Sequence, residues 1–370
     1  MAGGGLLRNE QSARMRGCWL ARRAALLGLV AALPLLAGCG SDAQPAQTRA
    51  SCVAASSNGE QVLPRPAELT PYHIFVTDLE TGNVSELGEH TVHVAQSIHG
   101  LGLSADGNML FVTDVSGNCM DGFALAGGAL GAEHEAPVGG SPVHMVETLD
   151  GKTLFVTNFA DQTVSVVNAV TWQSEKTITV PARPHGIVLS PDGRWAYVAC
   201  YGGAAIAVID AVSATLAATI SLPAGAQPYG IAISADGRYV YASDNFTGRL
   251  FVIDTAGRKL LPAIEVGLRP ALIARSPDGK TLYVANGGAA SVSVVDISRN
   301  AAQPVVRATI QGIQGYPHGI AVTPDGRFVV VANTQGQSLS VIDTADDKVV
   351  DTIQSPDLKY PNDVLITSIR

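Results

Sequence analysis

The chain has 370 residues, 24 Lys and Arg against 32 Asp and Glu, and 39 glycines with only 5% aromatic residues. Residues 1–38 hold five of the arginines and one of the glutamates, so the remainder carries a net charge of −12. Such an acidic surface repels polyphosphate backbones and sets nucleic-acid binding aside.

Arg14, Arg16, Arg22 and Arg23 precede the apolar run AALLGLVAALPLLAG, which ends at Cys39. A basic region, a short apolar region and small residues at its end describe a secretory signal over residues 1–38, too short for a membrane span. The ending LAGC, Leu36 to Cys39, resembles the bacterial lipobox, whose cysteine is acylated. An ordinary secretion signal with an incidental cysteine is the alternative, and Met15 is a second candidate start. Acylation at Cys39 anchors a chain to a membrane without spanning it. Gly40 after the cysteine, in place of Asp, favours an outer-membrane, periplasm-facing location in a Gram-negative host. Residues 39–50 then read as a tether, and residues 51–370 as one domain.

Asp-Gly pairs fall at Asp106, Asp150, Asp192, Asp236, Asp278 and Asp325, spaced by 42 to 47 residues. A β-rich run ends eight residues after each: Asp114, Asn158, Cys200, Asp244, Asn286 and Asn333. In five copies another run ends ten residues further on, at Asn168, Asp210, Asp254, Asp296 and Asp343. Constant internal offsets with variable total length mean fixed strands and elastic loops, the signature of a β-propeller. The copy from Pro184 divides into HGIVLS, WAYVAC, AIAVID and AATISL, with Asp192-Gly193 as the first hairpin. Its middle strands are apolar on both faces, as strands sandwiched between neighbouring blades should be. Gly100, Gly186, Gly230 and Gly319, third in their first strands, suit crowding at the axis.

The tail PNDVLITSIR aligns with a first strand and then stops. Near the start, YHIFVTDLETGNVSELGE is expected to supply a third and fourth strand, and ASCVAAS around Cys52 the second. Pairing of the two chain ends closes a ring of seven four-stranded antiparallel blades and abolishes free sheet edges. On this alignment Cys52 and Cys119 fall near equivalent strand ends in adjacent blades, which makes them a candidate disulfide in an oxidising compartment.

The runs LYVAN (Leu282 to Asn286), LFVTN (Leu154 to Asn158) and VVVAN (Val329 to Asn333) resemble the signature of the YVTN β-propeller repeat family. The phrase from Pro317, PHGIAVTPDGRFVVVANTQGQSLSVIDT, is similar to that family's consensus throughout. The resemblance covers roughly residues 98–369. It implies a secreted or surface-attached binding or scaffolding protein. Relatives of this architecture also include lactonases and the haem-binding propeller domains of bacterial nitrite reductases. The repeated phrase itself mostly encodes packing.

A site is therefore sought where one copy departs from the rest. The second position of the first strand holds His99, His185, His318 and Tyr229, with Val143, Ala271 and Asn362 in the other blades. Imidazoles around one mouth can bind a metal or ligate haem, so His99, His185 and His318 are candidate metal ligands; histidines that are simply part of the repeat are the alternative. His144 and Asp363 replace the third-position glycine. Glu147 and Arg275 interrupt an apolar sixth position, and a buried charge is costly unless paired or hydrated. All four join the candidate lining of the axial channel, against the alternative of local ion pairs or an offset register. Six of the eight histidines lie between His73 and His144, but without metal-binding spacing.

No nucleophile elbow, phosphate loop or Cys-His context is present. The expected function is that of an envelope-anchored, monomeric binding or scaffolding propeller for a protein or small ligand. The alternatives are a metal- or haem-carrying propeller and a lactonase-like hydrolase working at the axial face.

Overall fold

The computed structural model describes residues 62–125, 130 and 132–368. The leader, Cys39, the tether and Cys52 lie outside the described residues, and with them the lipidation, the candidate disulfide and the proposed ASCVAAS strand. No helix among the described residues is long and apolar enough to cross a membrane.

Among the described residues, twenty-eight strands form seven four-stranded sheets. Six blades follow the repeat, each running from an inner strand to an outer one. The inner strands are Ile98–Leu103, Pro142–Glu147, Pro184–Leu189, Pro228–Ile233, Pro270–Arg275 and Pro317–Val322, for blades 1 to 6. The seventh, closing blade is built from both ends of the chain, with Pro361–Ser368 innermost, then Tyr72–Asp78, Asn83–Glu86 and Thr91–His93. The architecture is a seven-bladed β-propeller, as the repeat requires.

The closing blade corrects one expectation. Tyr72–Asp78 is the second strand and not the third, pairing antiparallel with the tail from Tyr72↔Ser368 to Val76↔Val364. The third and fourth strands follow directly, so no segment around Cys52 is needed to complete the sheet. Asp78 secures the join. Its Oδ2 accepts the amides of Lys359 and Tyr360 at 2.7 and 2.8 Å, and its Oδ1 those of Glu80 and Thr81 at 3.1 and 3.0 Å.

Local chemistry explains the regularity. At each first hairpin a Ser or Thr hydroxyl donates to the Asp two residues on, as from Ser190 to Asp192 and from Thr323 to Asp325. The glycine after that Asp takes φ near +70°, as at Gly193 (73°) and Gly326 (77°), where a β-carbon is disfavoured. Seven hydrophobic clusters occupy the seven blade–blade interfaces, such as Val164, Val166, Val198 and Ile209 between blades 2 and 3. Second and third strands are therefore buried on both faces, while fourth strands such as Gln173–Thr179 face water.

Candidate active site

Each inner strand of blades 1 to 6 shifts register between its first and fourth residues, as between Pro184 and Ile187. Such bulges re-aim side chains, and here they direct the second and third residues toward the axis. Where the third residue is glycine, the neighbouring inner strand leaves no room for a side chain. A β-carbon on Gly230 would lie 2.3 Å from the Ala271 carbonyl, and one on Gly319 2.5 Å from that of Asn362.

A hydroxyl on the second strand holds this geometry and staples neighbouring blades. Thr157 Oγ1 accepts the His144 amide at 3.1 Å and donates to the His185 carbonyl of blade 3 at 2.8 Å. Thr77, Thr113 and Ser243 make the equivalent pair of bonds in their own blades. These hydroxyls position the site, and only the repeated Thr or Ser before the strand-ending Asp or Asn signals them in sequence.

Four imidazoles and one phenol converge as a result. His99 contacts His144, His185 and His318 with ring centroids 5.1, 5.3 and 5.9 Å away, and His144 contacts His185 at 5.0 Å. Tyr229 lies 3.6 Å from the His185 ring. His185 and His318 are each only 1% exposed. His318 Nδ1 lies 2.8 Å from the Asn362 carbonyl and so carries the proton, leaving Nε2 to accept the Tyr229 O–H at 2.9 Å. The others are not satisfied. The Val143 and Tyr229 carbonyls approach His99 and His185 as the Asn362 carbonyl approaches His318, but among the described residues buried His99 Nδ1, His144 Nε2 and both nitrogens of His185 make no hydrogen bond of good geometry, an arrangement that costs free energy.

Charge completes the picture. Asp363, also buried, receives the Leu101 amide on Oδ2 at 3.0 Å and the Val364 amide on Oδ1 at 2.9 Å. Its Oδ2 lies 3.9 Å from His144 Nδ1. Burial raises the Asp363 carboxyl to about 6, against those two amides. Burial also lowers His144 to about 3 and His318 to about 4, and holds His99 and His185 well below the usual imidazole range. Near neutral pH the mouth thus contains four neutral imidazoles and one carboxylate close to its titration point.

A collar surrounds this centre. Ser141, Arg183, Arg269 and Tyr316, each immediately before an inner-strand proline, adopt left-handed backbone with φ from 47° to 56°. Non-glycine residues held there are strained, and such strain gathers at functional sites. Arg183 packs over Phe159 at 5.7 Å. Burial raises the Tyr201 phenol and the nearby Tyr316 adds to this, while Arg183 and Arg269 oppose it. Sequence inspection of the repeat prolines overlooked these arginines, although the residue before each proline was there to be asked about.

The structure thus gathers His99, His144, His185, Tyr229, His318 and Asp363, but not the other two candidates. Glu147 and Arg275 end the inner strands of blades 2 and 5, at the opposite end from the histidines. Glu147 caps the Ala105 amide in an inter-blade groove, and Arg275 extends beside Gly279 with no ion pair among the described residues. The metal reading gains nothing. Among the described residues no group of three or more His, Cys, Asp or Glu is placed to hold a metal ion, and His99, His185 and His318 pack against rings instead. A haem carrier would need cations for its propionates, and Arg183 and Arg269 of the collar stand at the same mouth. His73 is bonded to Glu86, and His93 Nδ1 to Asn83 Oδ1 at 3.0 Å, so the histidines of that region are separately engaged.

Comparison with known proteins bears on this site. Residues 253–366 match the family described as "Lactonase, 7-bladed beta-propeller", and residues 178–303 match a protein family of unknown function, DUF1513. No curated protein matches the chain. Among solved structures, the periplasmic gluconolactonase of Pseudomonas aeruginosa shares 21% identity and a TM-score of 0.69, covering 81% of this chain and 99% of that one. A putative 6-phosphogluconolactonase from Bacteroides fragilis shares 16% identity and a TM-score of 0.69, covering 82% and 100%. Hydrazine synthase of Kuenenia stuttgartiensis shares 23% identity and a TM-score of 0.62, covering 73% and 94%. These likenesses establish the fold, and the family match covers the last third of the ring.

Proposed function

We propose that the protein is a lactonase-like hydrolase that opens a small lactone in the axial mouth. The observation that carries this reading is the cluster of buried imidazoles without well-formed hydrogen bonds among the described residues, with His144 placed beside the Asp363 carboxyl. A polar ligand in the mouth would satisfy them, and a scaffold has no use for them. Water attacks the lactone carbonyl, Asp363 takes its proton with His144 alongside, and the ring oxygen leaves as a hydroxyl after receiving a proton. The product is a hydroxy acid. Neutral His185 and His99 offer hydrogen bonds to the ligand's oxygens, and Arg183 and Arg269 favour the carboxylate that forms. The match to a lactonase family and the gluconolactonase-like neighbours support this over the binding-only reading.

The experiment is proton release on adding D-glucono-1,5-lactone and its 6-phosphate to purified protein at neutral pH. Opening of either well above its spontaneous rate is expected. Spontaneous rates for both, from a correctly folded preparation, would return the protein to the binding class. The leader sequence and LAGC at Leu36 to Cys39 support an envelope location with lipid attachment at Cys39 as part of the same proposal.

A further inference from the structure

A second site lies away from the axis. On the face carrying the Asp-Gly hairpins, blades 1 and 2 leave a groove of about 540 Å³ whose lining includes Met109, Phe111, His134, Glu147, Leu149 and Trp172. Its distinctive residues are departures from the repeat. Glu147 stands where Leu103, Leu189, Ile233 and Val322 end other inner strands. Trp172 takes the left-handed turn position, φ 56°, that Ala214, Arg258 and Asp347 fill in blades 3, 4 and 6. It is accommodated by Gly122, which replaces the valine found in the third strands of blades 2 to 6; a β-carbon there would lie 2.1 Å from the indole. The two changes are complementary, and His134 stacks on the indole with centroids 4.8 Å apart and planes 20° apart.

The polar groups are left half used. Glu147 Oε2 accepts the Ala105 amide at 2.5 Å, and among the described residues its other oxygen accepts no hydrogen bond. Burial is the main cause of its raised pKa, which the Ala105 amide counters and Asp106 and Asp150 reinforce. Trp172 is only 7% exposed, yet its indole N–H has no hydrogen-bond partner among the described residues. Asp106 is bonded through both oxygens within its own turn, whereas Asp150 is bonded there through Oδ1 and its Oδ2 has only Lys152 Nζ, 3.7 Å away. Among the described residues the groove therefore offers a carboxylate oxygen each of Glu147 and Asp150 as acceptors and the solvent-accessible indole N–H of Trp172 as donor, beside aromatic and thioether surface.

We propose that this groove is a saccharide-binding site, separate from the axial mouth. A pyranose presents hydroxyls that both donate to Glu147 and accept from Trp172, and a C–H face that packs on the rings. An organic cation would satisfy Glu147 alone and leave the indole N–H unmatched. The volume falls in the range of small-ligand pockets. Glu147 and His144 sit at opposite ends of one strand, three residues and about 10 Å apart, so the two sites are independent.

Trp172 and Trp195 are the only tryptophans after residue 38, which makes intrinsic fluorescence a direct reporter. The full chain is titrated with D-glucose, D-galactose and N-acetyl-D-glucosamine, with n-butylammonium as the cationic control. Saturable quenching by at least one sugar is expected, weakened about tenfold or more in Glu147→Leu. That variant restores the residue type of the repeat, so its melting and its action on lactones should be those of the parent. No response to any of the three sugars, a sugar response unchanged in Glu147→Leu, or saturation by n-butylammonium instead would each overturn the proposal.

Discussion

Asp363 and His144 face each other across the ring closure, a carboxylate oxygen 3.9 Å from Nδ1. Each occupies the third position of an inner strand, where Gly100, Gly186, Gly230 and Gly319 stand in four other blades. Two departures from the repeat thus meet at one point, far apart in sequence. With burial holding Asp363 at about 6 and His144 at about 3, only the carboxyl changes charge through the neutral range. Lactone opening should therefore rise with pH through about 6 and then level. Asp363→Asn should flatten that profile and lower the rate by roughly 10²- to 10⁴-fold. A pH–rate profile shared by both proteins would separate Asp363 from the chemistry.

The clasp gives a stability prediction. Asp78 receives four backbone amides, two of them from Lys359 and Tyr360 at the far end of the chain. Asp78→Ala leaves those amides without their acceptor and should cost about 3 kcal/mol, seen as a melting temperature lower by roughly 5 °C or more. Equal melting of variant and parent would mean that strand pairing alone closes the ring.

Blade 1 places two buried carboxyls, Asp114 and Asp121, side by side. In blades 2, 5 and 6 an Asn amide donates to a Ser hydroxyl, as from Asn158 to Ser165 at 2.9 Å. Asp114 and Asp121 take those places in blade 1. Burial, then Asp114 and Glu135, raises Asp121 from 3.8 to about 7. A raised folded-state value means that this residue's contribution is most favourable below about pH 4 and is lost as pH climbs to about 7. Asp121→Ser should stabilise the protein above pH 7, by at most roughly 4 kcal/mol, and remove part of the stability change between those limits. Asp363 contributes in the same sense up to about 6, so the difference between the two proteins isolates Asp121. Melting curves at pH 4 and pH 8 decide it: a variant less stable than the parent at pH 8 would contradict the reading.

Anchoring is tested in the native host. Cys39→Ser should move the protein from the membrane fraction to the soluble one, and unchanged sedimentation with membranes would remove lipidation from the account.

The ring was legible because a propeller repeats its physics: the Asp-Gly hairpin needs positive φ, and strands covered on both faces need apolar residues throughout. The closing blade was misread for a related reason. Second and third strands are both buried runs ending in Asp or Asn, so Tyr72–Asp78 fits either place, and the hairpin that would distinguish them is absent where two chain ends meet. His99, His185 and His318 could be found as the second residue of a repeated phrase, and His144 as a break in its third-position glycine. Glu147 and Arg275 could not be excluded from the axis, because sequence does not say where a strand's far end points. Thr157 and its equivalents show in sequence only as a Thr or Ser before the strand-ending Asp or Asn, although their hydroxyls bind one blade to the next and hold the inner strands.

The central claim is that the axial mouth performs hydrolysis, and the rate of D-glucono-1,5-lactone opening by His144→Gly tests it most directly. The substitution restores the repeat's own glycine at that position, so the ring should melt as before. The account predicts a parent that opens the lactone well above the spontaneous rate and a folded variant that loses at least about 100-fold of that activity. A His144→Gly protein as active as the parent would contradict it.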